Sequence, residues 1–236
     1  MCHFMHSPLI LFLSPTMPHH FLPRLALLLS GIVLLSIAIA LSIRSDIGTS
    51  PVSSAPYVYS LMTSFSVGTL TVFMQFLMII GQMFILGKDF KWVQWFQLPA
   101  SMVLGGAVDI ALWMTAFLQP DFYLSKLTLC LLNCVLTAVG VALMIKANLV
   151  MMAVDALYLA IAQRWGFNFG RCKMWGDISL VVFSVTSIWL ALGTISGIRE
   201  GTIISAILVG TFIRHLMPHL DFIRFDSAKV QMKSQA

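Results

Sequence analysis

The chain has 236 residues, of which 59% are hydrophobic and only 10% are charged, and its mean hydropathy is +0.93. One soluble core cannot hide so much apolar sequence, so the composition excludes an ordinary soluble domain and predicts a polytopic membrane protein. The formal net charge of +5 comes from basic residues scattered among short loops. That distribution is typical of the positive-inside bias and implies no nucleic-acid partner.

Eight apolar segments follow one another along the chain. Six are long enough to cross a bilayer as helices, because the hydrocarbon core needs about 20 apolar residues per helix. These six occupy 24–43, 69–87, 98–118, 127–145, 174–195 and 202–217. The other two, 49–65 and 149–165, are shorter and contain proline, serine or aspartate.

The second half of the chain matches the first when residues 24–68 are laid over residues 126–170. This register pairs Arg24 with Lys126, Arg44 with Lys146, Asp46 with Asn148, Phe65 with Phe167 and Gly68 with Gly170. Leucine matches arise easily in apolar sequence, but basic, aromatic and glycine matches in one register do not. The pattern therefore predicts an internal duplication.

The predicted fold class is an all-α polytopic membrane protein with two homologous repeats of about four membrane-embedded helical segments each. The repeats are expected to cover 24–118 and 126–217. An unstructured N-terminal extension is expected over 1–20 and a cytoplasmic tail over 218–236. Met17 is an alternative start, because it would leave a short basic lead-in before the first span.

The two short segments, 49–65 and 149–165, leave the topology open. If both cross the membrane, the chain has eight spans, the repeats run parallel, and nine basic residues lie on the N-terminal side against five. If both are re-entrant, six spans remain, the repeats are inverted, and the basic residues divide eleven to three. Charge favours the second arrangement and apolar length favours the first. Both predict cytoplasmic N and C termini.

Short motifs mark the polar breaks between segments. They are Gly48-Thr49-Ser50-Pro51, Ser66-Val67-Gly68-Thr69, Asp109, Lys173 with Asp177 four residues later, and the GIREGT stretch from Gly197 to Thr202. On these motifs, residues 24–217 resemble the YczE/YyaS/YitT group of bacterial multi-pass membrane proteins, whose biochemical activity is largely undefined. The resemblance implies a bacterial inner (plasma) membrane and supplies no substrate.

Two acidic side chains fall inside apolar segments, where a charge costs about 2.5–3.5 kcal/mol on insertion scales. Asp109 lies in segment 98–118 and Asp155 in segment 149–165. A carboxylate that binds and releases a proton as access alternates could couple transport to a gradient, so both are candidate ion or proton sites. Each could instead be a hydrogen-bonding group between helices.

Two further polar breaks are candidate solute-binding elements. Arg199 and Glu200 precede a helix, where Arg199 could hold a carboxylate or phosphate with Glu200 as its partner in the empty state, or both could lie in an exposed loop. Thr49 and Ser50 precede Pro51, either as an interrupted helix that lines a site or as an ordinary helix N-cap.

Small residues suggest where helices pack closely. Gly105 and Gly106 with Ser101, and Gly210 with Ser205, predict that the last spans of the two repeats pack against each other. Asp177 is expected to complement a helix N-terminus or to pair with Lys173.

The leading functional hypothesis is a gradient-driven transporter or exporter of an unidentified small solute, with its site between the repeats. The alternative is a non-transporting membrane protein that scaffolds or regulates a partner. An enzyme is not expected, because no HExxH, nucleophile-elbow or P-loop motif occurs. No metal or cofactor is predicted. The expected partners are the lipid bilayer and the solute, and a homo-oligomer or membrane partner stays open.

Overall fold

The computed structural model of the chain describes residues 21–167, 169–192 and 200–219. Within these ranges the chain forms eight α-helices and no strand. The helices are α1 (Phe21–Ser45), α2 (Pro51–Met62), α3 (Val67–Leu86), α4 (Gln97–Met114), α5 (Tyr123–Ala147), α6 (Ala153–Trp165), α7 (Phe169–Leu192) and α8 (Glu200–His219). The expected N-terminal extension and nearly all of the expected tail lie outside the described residues.

The prediction of eight helical segments is confirmed, and each helix coincides with one apolar segment of the sequence. Five stretches of the described chain are long and apolar enough to cross a membrane. They are Phe21–Ser45, Val67–Asp89, Trp92–Met114, Tyr123–Ala147 and Phe169–Ala191. These helices indicate a multi-pass membrane protein.

Two helices, α2 and α6, are too short to cross a bilayer by themselves. They contain 12 and 13 residues, which corresponds to about 18–20 Å of helix against a hydrocarbon core of about 30 Å. The sequence sets their bounds. Pro51 occupies the first turn of α2, where its missing N–H is not needed, and Gly166 ends α6 with a φ of 68°.

The first and fifth helices form the most extensive contact between any two helices of the described chain. At the end of α1, Asp46 Oδ2 accepts a 3.0 Å hydrogen bond from Lys126 Nζ near the start of α5. Further along, a Cβ placed on Gly31 would lie 2.8 Å from the carbonyl oxygen of Gly140. Because the end of one helix meets the start of the other, α1 and α5 run antiparallel.

These contacts define two ends of the helical bundle. We call the end where α1 begins the near end, and the end where α1 finishes the far end. Arg44 Nη2 donates to the carbonyl oxygen of Leu112 at 2.9 Å, so α4 also finishes at the far end. The backbone N–H of Gly201 donates to the carbonyl oxygen of Ile47 at 2.7 Å, so α8 begins there.

Helices α3 and α4 form an antiparallel hairpin, and the connection between them lies at the near end. Asp109 of α4 bonds Gly68 at the start of α3. Near the other end of the hairpin, Gln82 Nε2 donates to Gln97 Oε1 at 3.1 Å and to the carbonyl oxygen of Ala153 at 2.9 Å. The start of α6 therefore lies at the near end.

Glycine packing differs from the expectation. A Cβ on Gly105 would lie 2.7 Å from the carbonyl oxygen of Gly68, so this glycine packs on α3, not on α8. A Cβ on Gly106 or Gly210 would meet nothing within 4 Å. The prediction that these two glycines pack helices together is wrong within the described chain. Helix α4 contacts α1 and α3, and α8 contacts α5.

Candidate functional site

A charged cluster joins α6 to α7 at the near end. Lys173 lies one turn into α7, and its Nζ atom is 2.5 Å from Asp155 Oδ1 in the first turn of α6. The same Nζ atom is 3.7 Å from Asp177 Oδ2. Lys173 and Asp177 are four residues apart, so they share one face of α7. One ammonium group thus lies between two carboxylates.

Tyr158 of α6 completes the cluster. It follows Asp155 by three residues on α6, and its ring centroid is 5.8 Å from Lys173 Nζ. The ring fits because residue 176 of α7 is glycine, where a Cβ would overlap the ring atoms. Tyr158 is only 5% exposed. Its Oη atom and Asp177 Oδ1 are buried and make no hydrogen bond of good geometry among the described residues, although the two groups lie close enough to interact with each other.

The cluster is partly open. The exposed fractions of the side chains are 28% for Asp155, 39% for Lys173 and 22% for Asp177. Partial burial strengthens the attraction between opposite charges relative to a fully solvated pair. The pair at the far end differs, because 66% of the Asp46 side chain is exposed.

Asp109 lies in a different place and makes different contacts. Its Oδ2 atom accepts from Ser66 Oγ at 2.6 Å, and its Oδ1 atom accepts from the backbone N–H of Gly68 at 2.8 Å. Both partners lie at the start of α3, where backbone N–H groups lack intrahelical acceptors and the helix dipole favours negative charge. The geometry fits the hydrogen-bonding alternative for Asp109.

Thr49 and Ser50 lie at the start of α2, after the far end of α1. Thr49 Oγ1 is 3.1 Å from Ser54 Oγ, and Ser50 Oγ is 2.7 Å from Ser53 Oγ. Ser50 is the N-cap residue of α2 with Pro51 at the first helical position, although its side chain makes no capping bond. This geometry fits the N-cap alternative. The structure does not bring the side chains of Thr49 and Ser50 together with Asp155.

The remaining candidates are only partly described. Arg199 lies outside the described residues. Glu200 begins α8, and its side chain lies outside them too. Tyr158 is absent from the candidates of the sequence analysis. Its spacing of three residues from Asp155, together with the spacing of four between Lys173 and Asp177, could have indicated one polar interface between two helices.

Among the described residues, cavities lie at both ends of the bundle. The far-end cavity, about 250 Å³, has Arg44, Asp46, Tyr57, Asp121 and Lys126 in its wall. The near-end cavity, about 90 Å³, lies between α6, the end of α3 and the start of α4. The wall of the far-end cavity carries equal numbers of basic and acidic groups, so it favours neither sign of charge.

The model of the family of unknown function DUF6198 matches residues 22–218, which is most of the chain. The match does not name the YczE/YyaS/YitT group, although an uncharacterised membrane family is consistent with that resemblance. No curated protein and no solved structure matches the chain.

Proposed function

We propose that this chain, which belongs to the family of unknown function DUF6198, is a gradient-driven transporter of a small solute built from two inverted repeats. The observation that carries the proposal is the antiparallel packing of α1 against α5, which hold equivalent positions in the sequence repeat. Inverted repeats place solute sites where the two halves meet and allow one half to rock against the other.

Three pairs of the remaining helix contacts support an inversion, whereas the contact of α3 with α4 has no counterpart of similar extent between α7 and α8 among the described residues. Contacts of α1 with α4 have their counterpart in α5 with α8, contacts of α2 with α7 in α3 with α6, and contacts of α2 with α3 in α6 with α7. A pseudo-twofold axis between α1 and α5 accounts for this reciprocity. Parallel repeats would require α1 and α5 to run in the same direction, so the eight-span alternative is disfavoured.

Backbone geometry at the break after α1 and at the break after α5 agrees with two repeats. Asp46 and Asn148 occupy equivalent positions, and their φ angles are 53° and 49°. Aspartate and asparagine tolerate this left-handed conformation better than other non-glycine residues. Each is followed within a few residues by a short helix, α2 or α6. The shared conformation supports a duplication that extends to the interruption before each short helix.

Six crossings with α2 and α6 re-entrant follow from this arrangement. The near end then carries eleven basic residues and the far end three, so positive-inside orientation makes the near end cytoplasmic. The N and C termini would both lie on that side, in a bacterial inner membrane. The Asp155 cluster would face the cytoplasm.

Each short helix packs against the third helix of the other repeat, which supports transport over simple scaffolding. A rocking motion would change the contacts of α2 with α7 and of α3 with α6 together. No P-loop motif occurs in the sequence, so an ion gradient is the simplest source of energy. Asp155 is the acidic group best placed to respond to such a gradient. The second candidate, a membrane scaffold, is favoured by Asp109, whose hydrogen bonds among the described residues go to Ser66 and Gly68 of a neighbouring helix.

Transport can be tested with the full chain in liposomes adsorbed to a sensor for capacitive currents. Concentration jumps of guanidinium, gluconate and glycerol under an imposed pH gradient represent a cation, an anion and a neutral solute. We expect one class to give a protein-dependent current or internal pH change. Asp155→Asn should reduce this signal by at least about tenfold, which corresponds to roughly 1.4 kcal/mol.

The matched control is Asp46→Asn, which breaks the ion pair between Asp46 and Lys126 at an exposed position. It should retain the signal. Signals equal to those of empty liposomes for all three classes would contradict the proposal, as would equal losses in the two variants.

A further inference from the structure

We propose that Asp155, Asp177 and Tyr158 form a binding site for a small organic cation of the ammonium or guanidinium class, which Lys173 occupies in this structure as a tethered surrogate. This inference deepens the proposed transport function and rests on it only for the cation being the transported solute. Binding itself can be tested without transport.

The position of Lys173 Nζ is that of a bound ammonium group. It lies 2.5 Å from one carboxylate oxygen and 3.7 Å from the other carboxylate, with the Tyr158 ring centroid at 5.8 Å. Carboxylates and an aromatic ring are the groups that proteins use to bind ammonium and guanidinium ligands. The lysine side chain therefore displays the chemistry that the site accepts.

The surrogate leaves the site incompletely satisfied. At 3.7 Å, Asp177 Oδ2 is beyond good hydrogen-bond distance from Nζ. Asp177 Oδ1 and Tyr158 Oη are buried and make no hydrogen bond of good geometry among the described residues. The two groups lie close enough to interact with each other, so each is weakly partnered by the other. The Tyr158 side chain is only 5% exposed. Buried polar atoms without well-formed hydrogen bonds are unfavourable, so a ligand with several N–H donors would gain by reaching the Asp177 carboxylate and the Tyr158 hydroxyl.

The charge of the cluster selects the sign of the ligand. Two carboxylates and one ammonium group give a formal charge of −1, which becomes −2 when Lys173 leaves. An anion would meet two carboxylates at the site, so anions are disfavoured. A cation that replaces Lys173 restores the charge found in this structure.

Lys173 can leave the site without a change of fold. Its side chain is 39% exposed, and its four-carbon stem is flexible. A competing group on a short tether acts at an effective concentration on the order of millimolar. The tethered ammonium should thus weaken the apparent affinity for a free cation, and its removal should strengthen that affinity.

The test is equilibrium binding of guanidinium to the full chain in lipid nanodiscs, followed by calorimetry at constant ionic strength. Lys173→Gln should bind guanidinium at least about tenfold more tightly than the unmodified chain, since the tethered competitor is absent. Lys173→Arg keeps a cation in place and should show no such gain. Adding Asp155→Asn to Lys173→Gln should cancel it.

Lys126→Gln is the matched control, because it removes the lysine of the far-end ion pair. It should leave guanidinium binding unchanged. Tyr158→Phe removes only the buried hydroxyl and should weaken binding about threefold to tenfold. This variant keeps the test decisive if Lys173→Gln does not fold.

Equal affinity of a folded Lys173→Gln variant and the unmodified chain would overturn the inference, as would a gain that Lys126→Gln reproduces. If Lys173→Gln does not fold, unchanged binding in Tyr158→Phe would overturn it. Binding with no transport current would support the cation site and contradict the transport proposal. Transport of gluconate or glycerol without guanidinium binding would support transport and overturn the cation site.

Discussion

Replacing Gly140 with leucine is expected to prevent the chain from accumulating as a folded, monodisperse protein. A Cβ at this position would lie 2.9 Å from the carbonyl oxygen of Gly31 and 3.1 Å from the backbone nitrogen of Leu35. Both neighbours are backbone atoms, so no side-chain rotation can relieve the overlap and α1 must move away from α5. We expect a cost at or above about 3 kcal/mol, the upper part of the usual range for overpacked sites.

The measurement is fluorescence-detected size-exclusion chromatography of a fusion protein in detergent, followed by thermal unfolding of the monodisperse fraction. Such a cost is a large share of a total stability of about 5–15 kcal/mol, so most of the leucine variant should elute as aggregate. Gly140→Ala should give an intermediate yield. A leucine variant that elutes and unfolds like the unmodified chain would contradict the close crossing of α1 and α5.

Leucine at Gly105 should be destructive, whereas leucine at the adjacent Gly106 should be tolerated. A Cβ on Gly105 would lie 2.6 Å from Val72 Cγ2 and 2.7 Å from the carbonyl oxygen of Gly68. The same change at Gly106 meets nothing within 4 Å and directs an apolar side chain outward. We expect a loss of about 2–4 kcal/mol at Gly105 and a change within about 0.5 kcal/mol at Gly106.

The two variants differ by one position on one helix, so they control for composition and for hydropathy. Thermal unfolding in the same detergent gives the comparison directly. Similar melting temperatures for both variants would mean that α4 does not meet α3 through Gly105. A selective loss at Gly106 would mean that another surface covers that face of α4.

The sequence could predict the eight helices because their signal is local. Apolar length and the breaks at Pro51 and Gly166 suffice to place the helix ends within a few residues. The direction of α5 could not be predicted in the same way. It depends on whether α2 and α6 cross the membrane, and segments of roughly 17 apolar residues are compatible with both outcomes. The contacts of Asp46 with Lys126 and of Gly31 with Gly140 distinguish the two directions.

The prediction of acidic candidate residues from the sequence depends on one residue type. Asp155 stands out because an acidic residue in an apolar segment is costly, and it lies in the charged cluster. The same reasoning selected Asp109 as a candidate. Its partners Ser66 and Gly68 lie at the start of another helix, and they cannot be identified without the packing of α3 against α4.

Tyr158 could not be found by that reasoning. An aromatic residue in an apolar helix is ordinary, and its role depends on Gly176 of α7 leaving room for the ring. Which of Gly105 and Gly106 packs against α3 could not be predicted from the sequence either. Successive residues on a helix point about 100° apart, so the side that faces α3 depends on helix rotation, which glycine content alone does not fix.

Inverted repeats require α1 and α5 to have opposite orientations in the membrane. Single cysteines at Leu22, Val93 and Leu124, on a background in which the four natural cysteines are replaced, test this claim in intact cells with a membrane-impermeant maleimide. All three side chains are exposed in the structure. They report the start of α1, the connection between α3 and α4, and the start of α5.

With inverted repeats and a cytoplasmic near end, we expect the cysteines at 22 and 93 to be labelled only after permeabilisation. We expect the cysteine at 124 to be labelled from outside. Equivalent ends of α1 and α5 would then lie on opposite sides of the membrane. Labelling of positions 22 and 124 from the same side would contradict the inversion, and with it the basis for transport between the repeats.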